Sequence, residues 1–102
     1  MIPAPPGFLT GLREVCSRHG VLLIYDEVMS GFHRTGNLFS FEHDANVSPD
    51  IVVMGKSLSA GLPLSGVLIS DTVAAASPNG TESSTYAGNL VSCAAALAAL
   101  DV

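Results

Sequence analysis

The chain has 102 residues and is poor in charged residues and in cysteine. Charged side chains make up 13% of it, against roughly 25% in an ordinary globular domain. A small domain has a large surface for its volume, so a free-standing one should be more polar than this. With a mean hydropathy of +0.46, the composition predicts an interior piece of a larger protein, and we expect Met1 to be a truncated start.

Acidic residues outnumber basic ones among the few charges, and the formal net charge is −5. This argues against nucleic acid or an anionic membrane as a partner, because both carry dense negative charge. The first residues contain neither a basic segment nor a long apolar one, so they do not resemble a signal peptide. The least charged stretch, residues 83–100, is polar in its first half, which argues against a membrane span. We therefore expect a cytoplasmic location.

Cysteine and histidine offer no pattern typical of a metal site. Cys16 and Cys93 lie in apolar helical patterns, which favours buried free thiols in a reducing compartment. The histidines, His19, His33 and His43, have no metal-ligand spacing with cysteine or with one another. The sequence also lacks a G-x-G-x-x-G motif and a Walker loop, so neither a dinucleotide fold nor a nucleoside triphosphatase is supported.

Alternating helix and strand patterns predict an α/β fold. Strands are predicted at residues 21–25, 51–54 and 66–70. Helices are predicted between Gly7 and Gly20, after Asp71 and after Asn89. Asp71 and Asn89 are predicted to be the N-caps of the second and third helices. The first two strands lack polar alternation, which indicates that both of their faces are covered. We expect a partial, mostly parallel sheet with flanking helices.

Two reactive side chains follow the first two predicted strands. Asp26 comes directly after the first strand, and Lys56, the only lysine in the chain, follows the second. If the strands are parallel neighbours, both side chains emerge at the carboxyl edge of the sheet, where open α/β folds bind ligands. An amine and a carboxylate in one crevice suit a pyridoxal phosphate enzyme: the amine forms the Schiff base and the acid pairs with the pyridine nitrogen.

Each of these residues also has a plainer interpretation. Apolar and glycine neighbours should partly desolvate Lys56 and favour a neutral amine that can attack an aldehyde, but it could be a solvated loop lysine. Asp26 could cap the next loop, and Glu27, on the opposite strand face, should have a different role. Val28 would lie near the crevice or in the core. Thr85, just before the last helix, could bind phosphate or only cap that helix.

Residues 22–70 closely resemble the signature region of the class III aminotransferases, the ω-aminotransferase group of fold type I pyridoxal phosphate enzymes. The resemblance rests on an aliphatic run followed in order by Asp-Glu-Val, Gly-Phe-x-Arg-Thr-Gly, Pro-Asp, Gly-Lys and Gly-x-Pro. It extends to residues 6–20 and 84–99, so it covers nearly the whole chain. It implies that residues 1–102 are a piece of the large cofactor-binding domain of such an enzyme.

The resemblance implies that five residues contact pyridoxal 5′-phosphate. Lys56 would be the Schiff-base lysine and the proton shuttle, and Asp26 the partner of the pyridine nitrogen. Val28 would pack on the ring, and Thr85 would bind the phosphate, which in this family is typically that of the neighbouring subunit. The active site would then belong to a homodimer. Met29 stands where many members have a glutamine that contacts the phenolic oxygen of the cofactor.

These matches imply pyridoxal phosphate-dependent transamination between an amine or amino acid and a 2-oxo acid. Two alternatives remain open: an aminomutase or decarboxylase of the same family, or a fragment that is inactive on its own. Met29 bears on the first, because glutamate-1-semialdehyde aminomutases also carry methionine there. The second is open because the glycine-rich phosphate loop and the later carboxylate-binding arginine of the family are absent from these residues. Ala60 for glycine and Leu90 for proline change no chemical group.

Overall fold

The computed structural model describes residues 2–44, 47–78 and 84–101, which form three α-helices, three β-strands and two short 3-10 helices. The helices are α1 (Phe8–His19), α2 (Asp71–Ala76) and α3 (Leu90–Leu100). The strands are β1 (Ile24–Asp26), β2 (Ile51–Met54) and β3 (Gly66–Ile69). The 3-10 helices are Ser40–His43 and Lys56–Ser59. The order of helices and strands predicted from the sequence is confirmed.

Helix α1 ends at a glycine, and its first turn is capped by an acid that is distant in the sequence. Gly20 has a φ of 64°, the left-handed conformation that stops a helix at little cost, and the chain turns there toward β1. At the other end, the Asp44 carboxyl accepts hydrogen bonds from the backbone N–H of Gly7 at 3.3 Å and of Leu9 at 3.1 Å. Asp44 thus satisfies donors that the first turn of a helix leaves unpaired.

The three strands form one sheet in the order β1-β2-β3. β1 and β2 are parallel, with Asp26 opposite Val53, whereas β2 and β3 are antiparallel, with Met54 opposite Gly66. Residues 55–65 connect β2 to β3 by a tight reversal, too short for the crossover that a parallel pair needs, so β3 runs the other way. The α/β class is confirmed, and the described sheet is mixed, with one parallel and one antiparallel pair.

Asp50 joins the start of β2 to the start of β1 and to α1. Its Oδ2 accepts hydrogen bonds from Arg13 Nη1 and from the Leu23 backbone N–H, each at 2.7 Å. Its own N–H donates to the Leu23 carbonyl at 2.9 Å. The Arg13 hydrogen bond, followed by that of Leu23, lowers the pKa of the Asp50 carboxyl. This stabilisation is present above the ordinary carboxyl range and is lost as the pH falls through the lowered pKa.

The core gathers side chains from β2, α3 and the two segments that follow β1 and β2. Its buried members are Phe39, Val52, Met54, Leu58 and Ala96. The Phe39 ring stacks on that of Phe41 with centroids 5.5 Å apart, and Phe32 meets it edge-on at 5.8 Å. Aromatic pairs at these distances add to the free energy gained by burial alone. α3 packs against the 3-10 helix Lys56–Ser59, which fixes the segment that follows β2.

Burial of the strands on both faces is not found among the described residues. Val67, Leu68 and Ile69 of β3 are 57%, 51% and 46% exposed, and Ile24 of β1 is 55% exposed. β2, which has a strand on each side, buries Val52 and Met54 but only half-buries the alternate positions. The described helices therefore leave a large part of the sheet uncovered. Within the part of the chain that the structure describes, no helix is both long and apolar enough to cross a bilayer.

Two local predictions differ from the structure by small shifts. β1 begins at Ile24 rather than at residue 21, because Val21 and Leu22 lie outside the hydrogen-bonded ladder and are each 55% exposed. The N-cap of α2 is Ser70, whose Oγ accepts a hydrogen bond from the Val73 N–H at 3.4 Å, rather than Asp71. The Ser70 hydroxyl, one residue before Asp71, thus caps the helix, and Asp71 lies in the first turn.

Tyr25 gives a test of the packing beneath β1. Its hydroxyl is buried and has no hydrogen-bond partner among the described residues, and burial raises the pKa of Tyr25. Because an unsatisfied buried hydroxyl is costly, we expect Tyr25→Phe to raise the free energy of unfolding by about 1 kcal/mol. The measurement is denaturant unfolding of the variant beside the unaltered protein.

Tyr86→Phe is the matched control for this experiment. Tyr86 is 85% exposed, so water already satisfies its hydroxyl and its removal should leave the free energy of unfolding unchanged. A clear loss of stability in Tyr25→Phe would mean that the hydroxyl is hydrogen-bonded after all.

Candidate active site

Asp26 and Lys56 lie at, and just beyond, the carboxyl ends of two adjacent parallel strands. Asp26 is the last residue of β1, and Lys56 follows β2 after one glycine. Because β1 and β2 are parallel neighbours, with Asp26 opposite Val53, both side chains are placed at the same edge of the sheet. The parallel register on which this expectation rests is therefore confirmed, but Asp26 is not among the residues that line the cleft around Lys56. This is the edge at which open α/β sheets bind ligands.

Lys56 stands on a sharp turn with an unusual backbone. Gly55 is extended, and Lys56 then adopts a φ of 46°, in the left-handed region that side chains other than glycine rarely occupy. Strained backbone of this kind persists only where the surrounding structure enforces it. The Lys56 side chain is exposed, so the partial desolvation expected from its apolar sequence neighbours is not observed. Those neighbours pack inward and leave the amine at the surface.

The residues just after Lys56 anchor the turn. Leu58 is 8% exposed and Ser59 is fully buried. Ser59 Oγ donates a hydrogen bond to the Leu62 carbonyl, and the Leu58 N–H donates to the Gly55 carbonyl at 3.1 Å. With α3 packed against this 3-10 helix, the amine projects from a fixed base rather than from a free loop.

Asp26 and Glu27 face different environments, as their adjacent positions in a strand predict. Asp26 is exposed, and one of its oxygens, Oδ1, accepts a hydrogen bond from the Val28 N–H at 3.0 Å. Glu27 is only 2% exposed. It accepts hydrogen bonds from Ser30 Oγ at 2.5 Å, Ser40 Oγ at 2.6 Å and the Phe41 N–H at 3.1 Å. Glu27 thereby ties the segment after β1 to the first 3-10 helix and leaves Asp26 free at the edge.

Val28, Met29 and Thr85 have different relations to this edge. A Val28 methyl carbon lies 3.5 Å from where a Cβ on Gly55 would be, so Val28 packs beside the residue that precedes Lys56. Met29 is 57% exposed. Thr85 is exposed in the turn before α3, and no hydrogen bond links it to Asp26 or Lys56 in the described structure. Asn89 caps α3 through the N–H groups of its first turn, as predicted, so Thr85 is not needed for that purpose.

An open cleft of about 470 Å³ surrounds Lys56. Its lining residues are Arg34, Lys56, Ser57, Ala60, Gly61, Leu62 and Pro63. Arg34 reaches the cleft from the segment after β1, and its Nε donates a hydrogen bond to Ser57 Oγ at 2.7 Å. Sequence reasoning did not assign Arg34 or Glu27 to the site. The available signals were the conspicuous basic residue in an otherwise weakly charged loop and the second acid after a buried strand.

The family model for class III aminotransferases matches residues 1–102, the whole of the chain. The chain belongs to the class III aminotransferases. An acetylornithine aminotransferase of Corynebacterium efficiens is 48% identical over 102 residues, which are 100% of this chain and 25% of that protein. The mitochondrial ornithine aminotransferase of Rattus norvegicus is 48% identical over 103 residues, which are 100% of this chain and 23% of that protein.

Solved structures of aminotransferases share the fold of this class III chain. An S-selective transaminase from Arthrobacter sp. matches with a TM-score of 0.89 and 42% identity, over 96% of this chain and 22% of that one. A taurine:2-oxoglutarate aminotransferase from Bifidobacterium kashiwanohense, solved with PLP and glutamate, matches with a TM-score of 0.89 and 35% identity. That match covers 98% of this chain and 23% of the other. The chain therefore spans about a quarter of the length of these relatives.

Class III aminotransferases use pyridoxal phosphate, and the residues of this class III chain suit it chemically. The edge supplies an exposed amine at Lys56, a carboxylate at Asp26 whose second oxygen accepts no hydrogen bond within the described residues, and an apolar side chain at Val28. A primary amine can attach an aldehyde covalently, and a carboxylate can pair with a protonated ring nitrogen. Among the described residues, no group of three histidine, cysteine, aspartate or glutamate side chains could hold a metal ion.

The support that Glu27 gives to the site can be tested by its removal. We expect Glu27→Ala to lower the free energy of unfolding by about 2–3 kcal/mol, because the half-buried donors on Ser30, Ser40 and Phe41 lose a buried charged acceptor. Denaturant unfolding measures this. Glu42→Ala removes an exposed acid from the 3-10 helix to which Glu27 hydrogen-bonds and should change the value by less than about 0.5 kcal/mol. Equal effects of the two substitutions would show that the Glu27 hydrogen bonds contribute little.

Proposed function

We propose that this chain is part of the cofactor-binding domain of a longer, pyridoxal phosphate-dependent aminotransferase. The enzyme transfers an amino group between an amine or amino acid and a 2-oxo acid. The observation that carries this proposal is the placement of Asp26 and Lys56 at one carboxyl edge of parallel β1 and β2. Its support is the match of the class III family to the full length of the chain.

Lys56 and Asp26 have separate catalytic roles in this proposal. Bound pyridoxal phosphate supplies an aldehyde that takes up the amino group and a pyridine ring that accepts electron density from the substrate. Lys56 Nζ attaches the cofactor and then moves a proton from and to the substrate carbon that bears the amino group. Asp26 would hold a proton on the ring nitrogen through its carboxylate, of which Oδ1 already accepts a hydrogen bond from the Val28 N–H. The strained, anchored turn fixes the backbone of Lys56 and so restricts the positions that Nζ can reach at the edge.

The remaining site residues bind and orient. Val28, packed beside Gly55, would cover one face of the ring, and Met29 would face the phenolic oxygen. Thr85 binds the cofactor phosphate of the partner subunit, so the enzyme acts as a homodimer. Its exposure in the turn before α3 leaves the hydroxyl available for a second chain. A cofactor complex of the longer enzyme in which the Thr85 hydroxyl contacts neither phosphate would exclude this role.

The partners of the enzyme are a small-molecule amino donor and a 2-oxo acid acceptor. The net charge of −5 speaks against nucleic acid and anionic membranes as further partners, and we place the enzyme in the cytoplasm. An aminomutase of the same family is the second candidate, because Met29 stands at the cofactor position where such enzymes also carry methionine. Measuring whether turnover requires an external 2-oxo acid and releases the donor's carbonyl product separates the two, since an aminomutase consumes no external acceptor.

We expect Lys56→Ala in the longer enzyme to abolish covalent attachment of the cofactor. No other lysine exists in these 102 residues, and only this one lies at the edge beside Asp26. Borohydride reduction followed by peptide mapping measures the attachment. Lys56→Arg is the control that keeps the charge without a primary amine, and it should also remain unlabelled. A pyridoxyl label on a different lysine of the unaltered enzyme would refute the assignment.

We expect Asp26→Asn to slow the half-reaction with the amino donor far more than it weakens cofactor binding. An amide cannot hold a proton on the ring nitrogen, and a barrier higher by several kcal/mol lowers the rate roughly a thousandfold or more. Stopped-flow absorbance measures the half-reaction. Asp71→Asn, which changes an exposed acid in the first turn of α2, should leave the rate unaltered. A near-normal rate in Asp26→Asn would contradict the role.

The 102 residues expressed alone should be inactive. Their exposed apolar strands favour aggregation, and β1 and β3 both present unpaired edges among the described residues. The test is a pyridoxal phosphate titration of the purified chain, followed by assays of amino transfer to pyruvate and to 2-oxoglutarate. Saturable binding with measurable turnover would show that these residues suffice for an enzyme.

A further inference from the structure

The basic side chains of this acidic chain are unevenly distributed. The sequence contains only four lysine and arginine residues, and its net charge is −5. Arg13 is paired with Asp50, and Arg18 lies in the last turn of α1. The other two, Arg34 and Lys56, line the same cleft, and its lining contains no acidic residue. The cleft around Lys56 is therefore a local concentration of positive charge in a negative molecule.

Arg34 is directed into this cleft by the structure of its own loop. The two residues before it, Phe32 and His33, have φ values of 58° and 62°, so the chain doubles back there. The Phe32 N–H donates to the Leu38 carbonyl at 2.6 Å, which closes the loop at its base. At the tip, Arg34 Nε donates to Ser57 Oγ at 2.7 Å. The guanidinium plane is thus fixed through Nε next to the residue that follows Lys56.

This anchorage leaves the outer edge of the guanidinium available. A guanidinium has five N–H donors, and the bond to Ser57 uses the one on Nε. The two terminal nitrogens donate no hydrogen bond within the described residues. Such a pair of nitrogens matches the two oxygens of a carboxylate and can bind it bidentately.

We propose that Arg34 forms a carboxylate-binding subsite beside Lys56 and is a specificity-determining residue for the substrate. The subsite takes the carboxylate of an amino acid donor or of a 2-oxo acid acceptor, which are two sources of the same group. The identity of these ligands rests on the proposed function, whereas anion binding by Arg34 does not. The consequence is that substrates with a carboxylate are favoured over amines that lack one.

The first experiment needs no cofactor and no turnover. Binding of glutarate to the cofactor-free longer enzyme is measured by titration calorimetry for the unaltered protein, Arg34→Gln and Arg34→Lys. We expect Arg34→Gln to weaken binding by about tenfold to a hundredfold, because a charge-assisted bidentate contact is lost. Arg34→Lys, which keeps the charge without the fork, should lose less. Arg18→Gln, an exposed arginine outside the cleft, is the matched control and should bind normally.

The second experiment identifies the carboxylate by matched substrates in the half-reactions. Alanine and isopropylamine differ only in that a methyl group replaces the carboxylate. If the donor carboxylate binds Arg34, Arg34→Gln should raise KM for alanine and leave that for isopropylamine unchanged. If the acceptor carboxylate binds there, KM should rise for pyruvate and 2-oxoglutarate instead. Either result supports the subsite.

Two results would overturn the proposal. Normal glutarate binding by Arg34→Gln would show that Arg34 only braces the turn through Ser57, and Ser57→Ala should then reproduce all its effects. A selective loss of affinity for pyridoxal phosphate and inorganic phosphate would assign Arg34 to the cofactor rather than to the substrate. Failure of the proposed function would be recognised separately, because Lys56 would then carry no cofactor after borohydride reduction while glutarate binding remained measurable.

Discussion

The parallel pairing of β1 with β2 is the constraint on which the site depends. In this register Asp26 lies opposite Val53, so the ends of both strands open on one edge. Asp50 secures the pairing at the opposite end of the strands, where its side chain and backbone bond to Leu23 and its carboxyl binds Arg13. A shift of β1 by one residue would exchange the environments of Asp26 and Glu27, so that Glu27 would lose its three hydrogen bonds and Asp26 would turn away from the solvent.

Buried groups behind the edge keep the reactive ones at the surface. Glu27 collects three hydrogen bonds from Ser30, Ser40 and Phe41 under the segment that carries Val28 and Met29. Ser59 and Leu58 are buried under the turn that carries Lys56 and hold that turn in place. The exposed side chains of Asp26 and Lys56 are therefore carried by segments whose backbone is held in place by buried groups. This is the arrangement that lets a site hold its geometry before a ligand arrives.

Several parts of this arrangement follow from local sequence signals. The positions of Asp26 and Lys56 at the ends of β1 and β2 could be predicted because each follows a short apolar run. Periodicity and turn chemistry likewise located β2 and the glycine end of α1. The antiparallel sense of β3 was not predicted, although residues 55–65 between the predicted strands are too few for a parallel crossover. The N-cap of α2 shifted from Asp71 to Ser70 because two neighbouring residues can both cap a helix and only the backbone chooses between them.

The sequence by itself determined the fold class, the α/β order and the positions of Asp26 and Lys56 after the first two strands, because these depend on neighbours a few positions away. Only the tertiary structure decided that Arg34 meets Ser57 beside Lys56, that Glu27 anchors the segment after β1 and that Lys56 stays exposed. The physical reason is that these contacts join residues far apart in the chain. Loop conformations with left-handed residues at Phe32, His33 and Lys56 bring them together, and no periodicity encodes those.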